Sequence, residues 1–233
     1  MPLSNATETD ALIKAHYQAY TDADVPGILA TLAEDVTIGP LIGGTNWISG
    51  RAAAAGMYAT HVKRWPMALT DELGSMQVGA RVIKREHSRP SDPADITADV
   101  MGIYTVTDGL ISRLDMVRDG PGTEAALAAA EAQLVAYNAQ DLDAHVACFA
   151  PDVTVANLHE APNLAGREAY RERMGGVFGQ FPHNRVELLG RLALGNIVCD
   201  HELVLRGPGV EPFEVIAIYR VEDGLIREVR FIR

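Results

Sequence analysis

Two sets of side chains in this sequence have the chemistry to move a proton beside a carbonyl group. His201 sits between Asp200 and Glu202 in a strand-like run, and its ring exchanges protons near neutral pH. Asn157 and Tyr219 offer an amide and a hydroxyl that could hold a carbonyl or enolate oxygen, with His159 and Glu160 following in a loop. Nearer the N-terminus, His16, Glu86 and Tyr104 make a second set of the same kind. Trp47 stands in an apolar, Gly-rich loop, IGPLIGGTNWISG, as an aromatic for a pocket mouth. Histidines near acids also raise metal binding, but no two ligands fall at the spacings that mark zinc sites. Neither a metal nor an organic cofactor is expected.

The elements that would position these sets occur twice. The segment AYTDADVPGILATLAEDV around Tyr20 is answered by AYNAQDLDAHVACFAPDV around Tyr137, and Tyr20 to Asp35 spans the same length as Tyr137 to Asp152. Gly50-Arg51 is answered by Gly166-Arg167, Trp65-Pro66 by Phe181-Pro182, and IYTVTDGLI by IYRVEDGLI. Copies this long hold their own cores, so the repeat is a duplicated domain and not a short-period solenoid. The boundary falls in Arg118-Asp119-Gly120-Pro121-Gly122-Thr123, giving domains over 1–120 and 121–233.

Each copy reads as three helices followed by strands. AALAAAEAQLVAYNAQ is rich in helix formers, LDAHVACFA is a short second helix, and AYRERMGGVFGQF a third that stops at an aromatic–proline pair. NRVELLGRLALG, NIVCDHELVLRG, FEVIAIYRVEDG and LIREVRFIR alternate as strands, with Asp-Gly as a hairpin turn. The predicted fold class is α+β: two tandem cone-shaped domains, each three helices packed on a curved antiparallel sheet. On NIVCDHELV one face carries Ile197, Cys199, His201 and Leu203, the other Val198, Asp200, Glu202 and Val204. The stretch REHSRPSDPADITAD, long and polar, is expected as a lid or long hairpin.

Bulk properties exclude some functions. The 233 residues carry a formal net charge of −11, which disfavours nucleic acid and anionic membrane surfaces as partners. With 48% hydrophobic and 22% charged residues, both copies have material for ordinary cores. Cys148 and Cys199 lie in apolar runs and read as buried thiols. The acidic start lacks an apolar signal region and no stretch reaches membrane-span length, so a cytoplasmic location is expected.

These features together resemble the nuclear transport factor 2-like superfamily, and within it the SnoaL-like group of polyketide cyclases, ketosteroid isomerases and limonene-epoxide-hydrolase relatives. The residues that carry the resemblance are the two Tyr-to-Asp helical segments, the Gly-Arg before the third helix, and the ending YxVxDGLI, once per copy. It implies a conical domain around a mostly apolar pocket for a small hydrophobic molecule. It also implies that Cys199 and His201 face inward in the second copy, and Val82, Lys84, Glu86 and Ser88 in the first. The isomerase base falls on Pro40 and Asn157, its oxyanion tyrosine on His16 and Gln133, and its buried acid near Gly102 and Ala217, so that constellation is absent. The Asp-Arg-Asp set of the epoxide hydrolases is matched only loosely, by acids and arginines around Asp115 and Arg230.

Three readings follow. The first is a cofactor-independent acid/base enzyme (isomerase, cyclase or lyase) acting on a small hydrophobic carbonyl compound. Its catalytic candidates are His201, Asn157, Tyr219, His16 and Glu86, with Trp47, Tyr104, His159 and Cys199 contacting substrate. The second is a non-catalytic binding or scaffold protein, in which His201 is satisfied by its acidic neighbours, Lys84 and Glu86 form an ion pair, and Tyr219 packs. The third is an epoxide hydrolase-like, water-activating enzyme. The copies are expected to pair as an intramolecular pseudo-dimer through faces carrying Asp115, Arg230, Arg113 and Glu228, with further homo-oligomerisation open.

Overall fold

The computed structural model describes residues 3–64, 69–89 and 98–233. The Trp65-Pro66 helix stop and most of the expected lid, residues 90–97, lie outside the described residues. The chain divides into two compact units, Met1–Asp119 and Gly120–Arg233.

The first unit runs α1 (Leu3–Thr21), α2 (Val25–Ala30), β1 (Leu32–Pro40), β2 (Ile48–Ser49), α3 (Arg51–Arg64), β3 (Leu69–Val78), β4 (Arg81–Arg89), β5 (Ala98–Thr107) and β6 (Leu110–Arg118). The second repeats this as α4 (Thr123–Asn138), α5 (Leu142–Ala147), β7 (Phe149–Asn157), β8 (Leu164–Ala165), α6 (Arg167–Gln180), β9 (Arg185–Leu194), β10 (Ile197–Leu205), β11 (Phe213–Glu222) and β12 (Leu225–Ile232). This is the α+β architecture the sequence predicts. The sheets have six strands each, ordered β2-β1-β6-β5-β4-β3 and β8-β7-β12-β11-β10-β9. One pair in each is parallel, β1 with β6 and β7 with β12, because the first long strand returns beside the last after the intervening elements.

Local chemistry explains the repeated acids. Asp24 and Asp141 cap the short helices, their carboxylates accepting from the amides of Gly27 at 3.1 Å and Ala144 at 3.0 Å. Replacing Asp141 with Ala should lower stability by about 1 kcal/mol, read from the urea midpoint at constant m. The Asp-Gly turns carry two successive positive φ angles, 51° and 75° at Asp108-Gly109, 52° and 73° at Asp223-Gly224, as tight hairpins of this twist require. The β3–β4 and β9–β10 hairpins turn at Gly79 and Gly195, with φ of 58° and 56°.

Each unit has its own core. Ile13, Ile28, Leu32, Ile38, Tyr58 and Ile111 anchor the first. Phe149, Tyr170, Met174, Phe178, Tyr219 and Ile226 anchor the second. Among the described residues no helix is long and apolar enough to cross a membrane.

Candidate functional site

The first unit encloses a cavity of about 520 Å³ between its helices and sheet, within the usual size of small-molecule sites. His16 and Tyr17 reach it from α1, Tyr58 from α3, Glu86 from β4, Tyr104 from β5, and Trp47 from the loop before β2. The structure thus brings together four residues singled out from the sequence: His16, Glu86, Tyr104 and Trp47. Trp47 is 45% exposed, whereas Tyr104 and His16 are buried, so the largely apolar cavity runs from an aromatic mouth to a few buried polar groups.

The tautomer of His16 follows from its neighbours. The Thr31 hydroxyl donates to the carbonyl of Ile28 at 2.6 Å, so toward His16 it is an acceptor, and it receives the Nδ1–H at 2.7 Å. Nε2 is then left with its lone pair, met only by the distant hydroxyl of Tyr58 at 3.4 Å. Burial holds the ring neutral, lowering its pKa to about 4.

Glu86 is 6% exposed, and among the described residues its buried Oε1 has no hydrogen-bond partner. Desolvation raises its pKa to about 8, so at neutral pH it is mainly a carboxylic acid with a proton to donate. The ion pair expected with Lys84 is not formed: Lys84 pairs with Glu72 at 2.6 Å and lies 4.6 Å from the Tyr17 ring centroid. The hydroxyls of Tyr17 and Tyr104 are 2.6 Å apart. One hydroxyl donates to the other, which keeps its own O–H for a ligand. Gly102 makes this possible, since a Cβ there would meet the Tyr104 ring at 3.1 Å and Leu114 at 3.2 Å.

The second unit corrects the inward set expected there. Tyr219 donates to Glu202 Oε1 at 3.2 Å and receives from Gln133 Nε2 at 3.1 Å. Tyr219 pairs directly with Val198 across β10 and β11, so the face turned to the core is Val198, Asp200, Glu202 and Val204. Cys199 and His201 lie on the opposite face. His201 is paired with Glu214 at 2.8 Å, and Cys199 is a fully buried free thiol. Counting from the hairpin glycines, Gly79 and Gly195, aligns Glu86 with Glu202, not with His201. A one-residue slip reverses a strand's faces, and the turns carry the signal that fixes it.

Asn157 ends β7 with its amide donating to Glu160 at 2.8 Å, and His159 is an exposed loop residue at φ 68°. Asp200 is held by Arg191 through two bonds of 2.6 and 2.7 Å, and Arg191 also reaches Glu131. Arg113 donates to Asp115 on its own strand at 2.8 Å, and Arg220 donates to Glu228 at 3.2 Å.

Sequence reasoning missed His145. Its Nδ1–H donates to the Gln133 carbonyl at 3.0 Å and its Nε2 accepts from Tyr170 at 3.0 Å. It sits among Tyr137, Phe149, Tyr170 and Phe178, with ring centroids 5.1–6.0 Å away. Tyr170 aligns with Ala54, and Phe149 with Leu32, so larger rings occupy the second interior. Glu202 resembles Glu86 in burial and in a pKa raised to about 8, but it has a hydrogen-bond partner.

The model of the SnoaL-like domain matches this chain twice, over residues 13–114 and 130–229. A cystatin-fold protein of Novosphingobium aromaticivorans is similar at 36% identity over 46% of this chain and 97% of its own, with a TM-score of 0.45. An LEH-like epoxide hydrolase of Mycobacterium tuberculosis is 25% identical over 48% of this chain and 84% of its own, TM-score 0.42. An NTF2-like protein of Cytophaga hutchinsonii is 17% identical over 48% and 89%, TM-score 0.39. No functionally curated protein matches.

Proposed function

The chain belongs to the SnoaL-like domain family twice over, and from that premise we propose that its first domain is a cofactor-independent acid/base site for a small hydrophobic carbonyl compound. The carrying observation is the Glu86 carboxyl at the cavity, whose Oε1 is buried with no hydrogen-bond partner among the described residues. A buried polar group left without a partner costs about 1–3 kcal/mol, so a purely structural role gives no reason to keep it there.

In this reading the substrate carbonyl oxygen takes hydrogen bonds from the Glu86 acid and from the free hydroxyl of the Tyr17–Tyr104 pair. His16 Nε2 accepts the proton from the adjacent carbon, and the electron pair moves onto the carbonyl oxygen as an enolate. Return of the proton to another carbon gives an isomer, and attack by the enolate on a second carbonyl gives a ring or a new bond. A weak base working beside a carboxyl kept protonated is an established division of labour in enolisation.

The test is α-proton exchange of β-tetralone followed by NMR across pH. The rate should rise through about pH 4 as His16 becomes neutral, and fall through about pH 8 as Glu86 ionises. Glu86→Gln keeps an N–H donor, so it should lose about tenfold, less than the 10²–10³ of a deleted donor, and should lose the alkaline fall. A wild-type protein with no exchange above buffer would sink the enzyme reading.

The second domain fits the non-catalytic alternative. Its buried acid is satisfied by Tyr219, and rings fill its interior. The epoxide hydrolase alternative lacks support in the cavity, because Asp115 alternates with the lining residues Leu114 and Met116 and so faces away.

A further inference from the structure

Glu86, Val100 and Arg118 form one row across the sheet of the first unit: Glu86 pairs with Val100 between β4 and β5, and Val100 pairs with Arg118 between β5 and β6. Directly paired residues share a face, and all three line the cavity. The row spans two inter-strand spacings, about 10 Å between the outer backbones. It begins at a buried acid, crosses an apolar side chain, and ends at an exposed guanidinium beside the Trp47 mouth.

Among the described residues, Arg118 is placed as a cation without a counter-ion. Its guanidinium lies 4.5 Å from the Trp47 ring centroid, a contact that orients it without neutralising it. Among the described residues no carboxylate pairs with Arg118, whereas Arg51, Arg85, Arg113 and Arg191 each hold one. In a chain of net charge −11, an exposed guanidinium at the rim of an apolar cavity makes a local positive field that draws an anion.

We infer that the substrate of this site is a carboxylate-bearing carbonyl compound, a hydrophobic keto acid whose carbonyl meets Glu86 and whose carboxylate meets Arg118 at the mouth. This rests on the carbonyl-binding reading of the cavity and adds the second functional group. The apolar middle of the ligand lies along Val100, and its length is set by the row. Arg118 acts in binding and orientation: it holds one end so that the other arrives at the acid in a single pose.

The experiment compares naphthoylpropionate, an aryl keto acid, with its methyl ester by isothermal titration of the full chain. The acid should bind about tenfold tighter than the ester, the expected size for one charge-assisted contact at a partly exposed site. In Arg118→Gln the acid should weaken to within about twofold of the ester, with ester binding unchanged as evidence that the cavity is intact. Arg118→Lys should recover part of the preference, and raising the salt should shrink it in the wild type and the Lys variant but not in Arg118→Gln. Equal binding of acid and ester by the wild type, or a preference that survives Arg118→Gln, overturns the keto-acid inference and leaves the cavity reading standing. Binding of neither probe to the wild type overturns both.

Discussion

His16→Gln is expected to lower the β-tetralone exchange rate by about 10²–10⁴, the range associated with losing a positioned general base, while leaving the fold intact. Three observations combine here. The Thr31 contact fixes the proton on Nδ1, so the lone pair of Nε2 is always presented on the same side. Burial keeps the ring neutral down to about pH 4, so the base form is full at working pH. An amide in its place has no lone pair of comparable basicity. The fold should tolerate the change because the second copy carries Gln133 at the matching position, where it donates to Tyr219. The variant should therefore bind naphthoylpropionate with little change and fail in exchange. An exchange rate within about threefold of wild type would remove His16 from the proton transfer and point back to Glu86 as the base.

The same substitution shows why the second unit is read as inert. Its buried acid and its tyrosine survive, but Gln133 replaces the base and satisfies the tyrosine, which in turn satisfies Glu202. A histidine–tyrosine pair does recur there, as His145 with Tyr170, yet both ring nitrogens are bonded and four aromatic rings surround it. The pair contributes packing and hydrogen bonding to the core.

Much of this was readable in the sequence, for physical reasons that differ by element. The Asp-Gly hairpins have a short-range signature, and the matched segments of the two copies repeat it, so the duplication and the fold follow from them. In the first unit the resemblance picks the right face of β4, since Glu86 and Ser88 line the cavity while Arg85 pairs with Asp99 instead. In the second unit the resemblance picks the wrong face, and the residues do not correct it because β10 carries apolar and polar residues on both faces: Val198, Asp200 and Glu202 on one, Cys199 and His201 on the other. Hydrophobic pattern then has no preference, and only the turn at Gly195 sets the register. Tyr17 and Tyr58 lie on α1 and α3, and their hydroxyls acquire meaning only from Tyr104 and His16 at the cavity. Arg118 sits in the linker by composition and is recognisable as a cavity residue only through its pairing with Val100.

Buried titratable groups in both units also predict an unusual stability profile. Glu86 and Glu202 have folded-state pKa values raised from 4.5 to about 8, so between those limits the folded chain holds protons the unfolded chain has lost. Stability from these groups is complete below pH 4.5 and declines as pH rises through 8. His16 and His145 are lowered from 6.5 to about 4, so their contribution is complete above pH 6.5 and declines as pH falls through 4. Between pH 4.5 and 6.5 the two pairs oppose each other and the profile should be flat. Above pH 6.5 the histidines no longer act, and the two glutamate protons over the interval to pH 8 correspond to a loss of about 4 kcal/mol. Glu86→Gln and Glu202→Gln should each remove about half of that decline, and the double variant nearly all of it, because the two carboxyls belong to separate cores. Urea midpoints at pH 6 and pH 8.5 measure the effect directly. A double variant that still loses stability like the wild type would mean that water reaches both carboxyls, and the alkaline fall assigned to Glu86 in the rate profile would lose its cause.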